Sequence, residues 1–246
     1  MKRYWKYVVI GLILLATSVG VYFLHYAIFR DTHHIFIYMV GDLAFLPLEV
    51  FLVVIVLERI LVGREKQAMM QKLNMVVGAF FSEVGNELLR SLLSSFEGSQ
   101  QIAQHLDVKG EWSRPDFRAA TSFIQGLSES PDSSRMDIDG LKALLVQKRG
   151  FMLRLLENPN LLEHDQFTDL LWATFHLAEE LEARPSLKDL PATDLQHIAG
   201  DIQRVYSRLA AEWLDYVLHL KTNYPYLFSL VARTHPFQEH ATAVVG

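Results

Sequence analysis

Residues 7–29 read YVVIGLILLATSVGVYFLHYAIF and residues 35–62 read IFIYMVGDLAFLPLEVFLVVIVLERILV; these two stretches decide the fold. The first holds one ionisable residue, His25, and no formal charge; the second holds Asp42, Glu49, Glu58 and Arg59. Each exceeds the ~20 apolar residues needed to cross a hydrocarbon core of about 30 Å. A helix is the natural form for such a span because it satisfies its own backbone hydrogen bonds. The pair predicts a transmembrane hairpin in residues 1–64, with 30–34 as a short outer loop. The rival readings of the first run are a cleaved signal peptide and a buried core helix. A signal peptide needs a shorter apolar region and a small-x-small cleavage site, whereas this run ends His-Tyr-Ala-Ile-Phe and a second run follows at once.

The flanks set an orientation. Lys2, Arg3 and Lys6 precede the first run, Arg59, Arg64, Lys66 and Lys72 close or follow the second, and the loop has Arg30 alone. The positive-inside rule then places both termini in the cytoplasm, at the inner (cytoplasmic) membrane. Tyr4, Trp5 and Tyr7 fall at the inner interface and Tyr22, Tyr26 and Tyr38 toward the outer one, as an aromatic belt does.

Glu49 is the fifteenth of the 28 residues in the second run, near the bilayer midplane, and Asp42 lies two turns earlier on the same face. Pro47 between them removes a backbone donor and predicts a kink. A mid-membrane carboxylate costs about 2.5–3.5 kcal/mol on insertion scales, so it needs a partner, water or a proton. Folding the hairpin about residue 32 sets Asp42 opposite Tyr22, with His25 a turn away, and Glu49 near Thr17 and Ser18. Ala16 and Gly20 form a small-xxx-small pair suited to close helix approach. His25, Asp42 and Glu49 are thus the intramembrane polar candidates. They are read either as hydrogen-bonding glue for the hairpin or an oligomer of it, as a proton- or ion-responsive set, or as a ligand or lipid contact.

Of the 246 residues, 23 are basic and 28 acidic; six and four of these lie at or before Arg64, so residues 65–246 carry 17 and 24. That net of −7, without a basic stripe, speaks against nucleic-acid binding. The absence of cysteine excludes disulfides, thiolate nucleophiles and cysteine-based metal sites. Helical periodicity runs through 65–96, with Leu73, Val77, Phe80, Val84, Leu88 and Leu92 as the stripe, widened by Met70, Phe81 and Leu89. Gly78 and Gly85 on one face suit a close crossing. Further helices are predicted over 116–127, 139–157, 165–183 and 193–221, the last capped by Thr193 with Gln196, and a shorter one after Asn223. Residues 97–135 are the least regular. The whole reads as an all-α protein: a two-helix transmembrane hairpin followed by a cytoplasmic helical bundle.

No phosphate-binding, dinucleotide, kinase, G-x-S-x-G or H-E-x-x-H signature is present. Asp169, His176 and Glu180 share a helix face with Trp172, and Glu179 follows His176 by three. Asp201, Arg208, Glu212, Asp215 and His219 share a face of the next helix. His176, Glu180, Asp215 and His219 are the candidate metal ligands. Both faces lie opposite the apolar stripes of their helices, so the competing expectation is a solvated, salt-bridged surface. Tyr224-Pro225-Tyr226 and the aromatics up to Phe237 are read either as a recognition element or as residues that cap the bundle or lie against the membrane surface.

Residues 25–66, HYAIFRDTHHIFIYMVGDLAFLPLEVFLVVIVLERILVGREK, resemble a group of uncharacterised prokaryotic integral membrane proteins, as do 170–187, LLWATFHLAEELEARPSL, and 219–237, HLKTNYPYLFSLVARTHPF. The resemblance implies a membrane location and carries no activity, catalytic residue or cofactor. The expected function is a membrane-anchored, non-catalytic interaction, scaffold or sensor protein. Its expected partners are the lipid bilayer, further copies of itself or other membrane or cytoplasmic proteins. The alternatives are an ion- or proton-responsive membrane protein and a metal-binding bundle enzyme.

Overall fold

The computed structural model describes residues 2–132, 135–238 and 241–244, and every regular element among them is helical. The chain divides into two compact units, Met1–Lys66 and Gln67–Gly246.

The first unit holds α1 (Lys2–Phe29) and the opening two-thirds of α2 (Thr32–Phe80). They are joined by two residues rather than five. Arg30 takes the left-handed conformation (φ 51°) and its N–H donates to the Tyr26 carbonyl at 2.8 Å, ending α1. Asp31 then caps α2: its Oδ1 accepts from the N–H groups of His33 (2.9 Å) and His34 (3.1 Å), which also holds this carboxyl below its ordinary range. The stretch 32–34, expected as loop, is helical because that cap is available. Pro47 lies inside α2 without ending it.

Across residues 5–64 the side chains are exposed, with only His25, Ile35 and Ile55 partly covered. The segments Trp5–Phe29 and Thr32–Arg64 are each long and apolar enough to cross a membrane, and none of either apolar window is buried. The expected contacts inside the hairpin are not the ones found. The His25 ring stacks on His34 with centroids 6.1 Å apart and tilts against Phe29, and the Thr17 hydroxyl donates to its own helix at Ile13. A Cβ on Gly20 would meet nothing, so no close crossing uses the Ala16/Gly20 pair.

The second unit begins with the last part of α2. A π-turn over Phe81–Gly85, closed by the Asn86 N–H on the Phe81 carbonyl, separates it from α3 (Asn86–Leu93). The wider turn accommodates an extra residue, so the adjacent Phe80 and Phe81 both point inward. Phe80 meets Phe167 edge-on at 5.2 Å and Phe81 stacks on Tyr216 at 5.4 Å. The predicted stripe from Leu73 to Leu92 is buried throughout.

Residues 97–135 contain a helix that periodicity does not reveal, α4 (Ser99–His105), whose one buried apolar side chain is Ile102. Tertiary contacts hold this region instead: the Gly98 N–H donates to Glu129 Oε1 at 2.7 Å and the Asp132 N–H to the Ser95 carbonyl at 2.8 Å. Helix α5 (Arg114–Gln125) starts behind a capping box of Ser113 and Asp116. Helix α6 (Ile138–Leu156) is capped by Asp137 rather than begun at Asp139. A single 3₁₀ turn, Pro159–Glu163, leads into α7 (Asp165–Ala183). Helix α8 (Ala192–Asn223) follows Pro191, and Thr193 makes no cap there. Helix α9 (Pro225–Thr234) ends before Pro236.

Helix α8 is the axis of the bundle, packing against α3, α5, α7 and α9. A helix surrounded in this way buries more than one stripe. Gly78 of α2 lies under Tyr216 of α8, where a Cβ would come within 3.0 Å of the phenol oxygen. Gly85 is different: its close neighbours are the Phe80 and Phe81 rings. Gly78→Leu is therefore expected to lose about 1–3 kcal/mol by displacing the Tyr216–Phe81 stack, read as a lower unfolding midpoint.

Candidate functional site

Helices α7 and α8 run antiparallel around the loop 184–191, and each carries a histidine four residues before a carboxylate: His176 and Glu180, then His197 and Asp201. Residues four apart share a helix face. Antiparallel packing sets His176 opposite Asp201 and Glu180 opposite His197. The Nε2 atoms of His176 and His197 each lie 3.5 Å from Asp201 Oδ2, and His197 Nε2 lies 3.7 Å from Glu180 Oε2. One donor atom from each of His176, Glu180 and His197 can be chosen so that all three lie within 4.8 Å of one another.

The two helices contribute unequally exposed groups. The imidazoles are about half exposed, at 48% and 53%, whereas the Asp201 side chain is 2% exposed. Arg204 holds Asp201 Oδ1, and Oδ2 faces the histidines without a hydrogen-bond partner. Arg184 organises the other side. It donates two hydrogen bonds to Asp194, at 2.6 and 2.9 Å, and one to Glu180 Oε2 at 2.8 Å, which lowers the pKa of both carboxyls.

A second polar centre lies farther along α8. Glu212 is 3% exposed; His164, just before α7, approaches its Oε1 through Nε2 at 3.3 Å. His164 Nδ1 accepts the Phe167 N–H at 3.3 Å, so the ring proton resides on Nε2, facing Glu212. Glu212 Oε2 is buried without a partner, and burial pushes this carboxyl up to about 8. Desolvation lowers the pKa of His164 and raises that of Asp215. Glu212 and Asp215 help line a cavity of about 320 Å³ between α5, α7 and α8, with Asp169, Arg208, Gln125 and Gln166.

The expectation of solvated polar faces on α7 and α8 is thus corrected in two places: Asp201 and Glu212 are buried, because α8 is covered on several sides. Of the four expected metal ligands, His176 and Glu180 come together; Asp215 and His219 do not join them. Asp215 belongs to the Glu212 cavity. His219 Nδ1 accepts from the side-chain amides of Asn74 and Asn223, each at 3.1 Å, and desolvation lowers its pKa. Glu179 turns away to Arg149. His197 and His164 are the residues the sequence reading missed. For His197 the signal was present, as the repeated His-x-x-x-carboxylate spacing of 176–180 and 197–201. In the first unit, Asp42 and Glu49 are exposed and make no hydrogen bond or ion pair among the described residues, and His25 Nδ1 has no hydrogen-bond partner.

Comparison with known proteins returns one family in two parts. A model described as MJ1433, N-terminal helical domain, matches residues 2–61, and one described as Uncharacterized protein MJ1433, C-terminal helical domain, matches residues 69–233. The chain is also 44% identical over 243 residues to the uncharacterized protein MJ1433 of Methanocaldococcus jannaschii, covering 99% of this chain and 97% of that one. No solved structure matches it significantly. With both helical domains matched in order and nearly the whole length aligned, the chain belongs to the MJ1433 family.

Proposed function

We propose that the protein is a membrane-anchored helical bundle acting as an interaction or sensor module: α1 and the first part of α2 span the cytoplasmic membrane, and the second unit works in the cytoplasm. The observation that carries this is that none of the apolar window of either segment, Trp5–Phe29 or Thr32–Arg64, is buried. Burying one Leu, Ile, Val or Phe is worth about 1.5–3 kcal/mol. More than thirty large hydrophobic side chains stand exposed between Trp5 and Val62. In water that surface would forfeit tens of kcal/mol, against a net folding stability of about 5–15. A bilayer removes the conflict, and a core helix of a soluble protein would not show it. A second apolar helix starting two residues after the first is also foreign to a signal peptide. Asp42 and Glu49, with no partner among the described residues, point to assembly through the membrane with further copies.

The absence of cysteine makes the test direct. Thr32→Cys at the turn is expected to react with a membrane-impermeant maleimide in intact cells. Ser122→Cys, exposed on α5, is expected to react only after lysis. Recovery of the wild-type protein in the soluble fraction sinks the anchored reading, and the reverse labelling pattern sinks the orientation alone.

A further inference from the structure

We propose that His176, Glu180, His197 and Asp201 form a binding site for one divalent first-row transition-metal ion at the crossing of α7 and α8. The inference is independent of how the first unit meets the membrane.

The carrying observation is Asp201. Its side chain is 98% buried by the same measure that finds its histidine neighbours half exposed, and Arg204 occupies only Oδ1. Oδ2 is left inside without a hydrogen bond and 3.5 Å from two imidazole nitrogens at once. A buried carboxylate oxygen left without a hydrogen bond costs about 1–3 kcal/mol or more. A cation between the three groups satisfies all of them together.

The spacings suit an ion. Donors bound at about 2.0–2.2 Å in a tetrahedral set stand about 3.4 Å from one another. Three of the donor pairs here stand at 3.5, 3.5 and 3.7 Å, and His176, Glu180 and His197 keep their donors within 4.8 Å of one another, so an ion draws the exposed side chains in toward Asp201. Two imidazoles and two carboxylates neutralise a doubly charged ion. Imidazole selects zinc, iron, cobalt or nickel over calcium and magnesium, which take oxygen ligands. The outer partners are in place as well: Arg204 on Asp201, and Arg184 on Glu180. The half-exposed histidines leave an entry path and room for water as a further ligand.

The test uses the full chain in detergent, purified without a histidine tag and stripped with chelator, then titrated with Co²⁺ and with Zn²⁺. The expected result is one equivalent bound per chain, a visible Co²⁺ spectrum of nitrogen–oxygen coordination that Zn²⁺ abolishes, and a higher melting temperature with metal. Changing an outer-shell partner typically weakens binding about 10–100-fold, so the double variant H176A/H197A is expected to bind at least about 100-fold more weakly. His33→Ala, which removes a histidine elsewhere, is expected to leave affinity and spectrum unchanged. Both ligand histidines are substantially exposed, so the double variant keeps its fold, and its metal-free melting temperature verifies that. A wild-type chain that shows no Co²⁺ spectrum, or that binds no better than the double variant, overturns the site and leaves a cluster of ion pairs.

Discussion

Glu212→Gln is expected to stabilise the protein at alkaline pH by on the order of 3–5 kcal/mol and to flatten its stability between pH 4.5 and 8. The carboxyl ionises near 4.5 in an unfolded chain and near 8 in the folded one, because burial beside Asp215 penalises the charge. Between those values the folded state holds a proton that the unfolded state has released, so stability falls by about 1.4 kcal/mol per pH unit as pH rises. Below pH 4.5 both states are protonated and the variant gains nothing; above 8 the gain is complete. His164 works in the opposite sense. Its lowered pKa keeps it neutral to lower pH in the folded state than in the unfolded one, so stability is lost as pH falls below 6.5. At pH 8.5 His164 is neutral in both states, so the difference between wild type and Glu212→Gln there isolates the carboxyl. Glutamine keeps the shape of the protonated acid and still offers a carbonyl to the His164 Nε2 proton. Denaturation of the full chain in detergent at pH 4, 6 and 8.5 reads the effect. Equal unfolding midpoints for the two proteins at pH 8.5 would falsify it.

The sequence disclosed the elements well where one apolar stripe decides a helix. Helix α7 has the bounds its periodicity predicts, and the stripe from Leu73 to Leu92 is buried as expected. It disclosed little where the decisive interactions are long-range. The seven residues of α4 carry one buried apolar side chain, and hydrogen bonds from Gly98 and to Ser95 fix that region across about thirty positions of chain. The π-turn is another case. Phe80-Phe81 reads as a wide stripe, and only packing against Phe167 and Tyr216 makes both rings internal.

The polar clusters failed for a related reason. Placing Asp201 and Glu212 opposite the apolar stripe of α8 is correct on a helical wheel, but a wheel treats a helix as having one buried side. Helix α8 is the axis of the bundle and buries several. Register was the other obstacle. Choosing which part of α8 faces His176 and Glu180 needs the length of the connection after α7, and the loop 184–191 selects His197 and Asp201 near the start of α8 rather than Asp215 and His219 near its end. The repeated His-x-x-x-carboxylate spacing carried that information; the shared polar face distracted from it.

Trp213→Ala is expected to cost about 3–5 kcal/mol, as large-to-small changes of buried aromatics do. Trp213 is fully buried on α8, and the residues after α9 fold back onto it: Phe237 meets its ring edge-on at 4.8 Å and His235 at 5.6 Å. This fold-back settles the fate of most aromatics near the C-terminus. Phe237 and His235 are buried parts of a cap, while Tyr226 remains 72% exposed. Phe237→Ala is accordingly expected to cost about 3 kcal/mol, and Tyr226→Ala to stay within about 0.5. The Trp213/Phe237 pair should also be coupled. An edge-to-face pair contributes about 0.5–1.5 kcal/mol beyond its area, so the double variant is expected to lose less than the two single losses combined by that amount. Four measurements of unfolding midpoint on the full chain in detergent complete the cycle. Strict additivity would show that the cap does not rest on Trp213, and the aromatics after α9 would then be free to act as a recognition element.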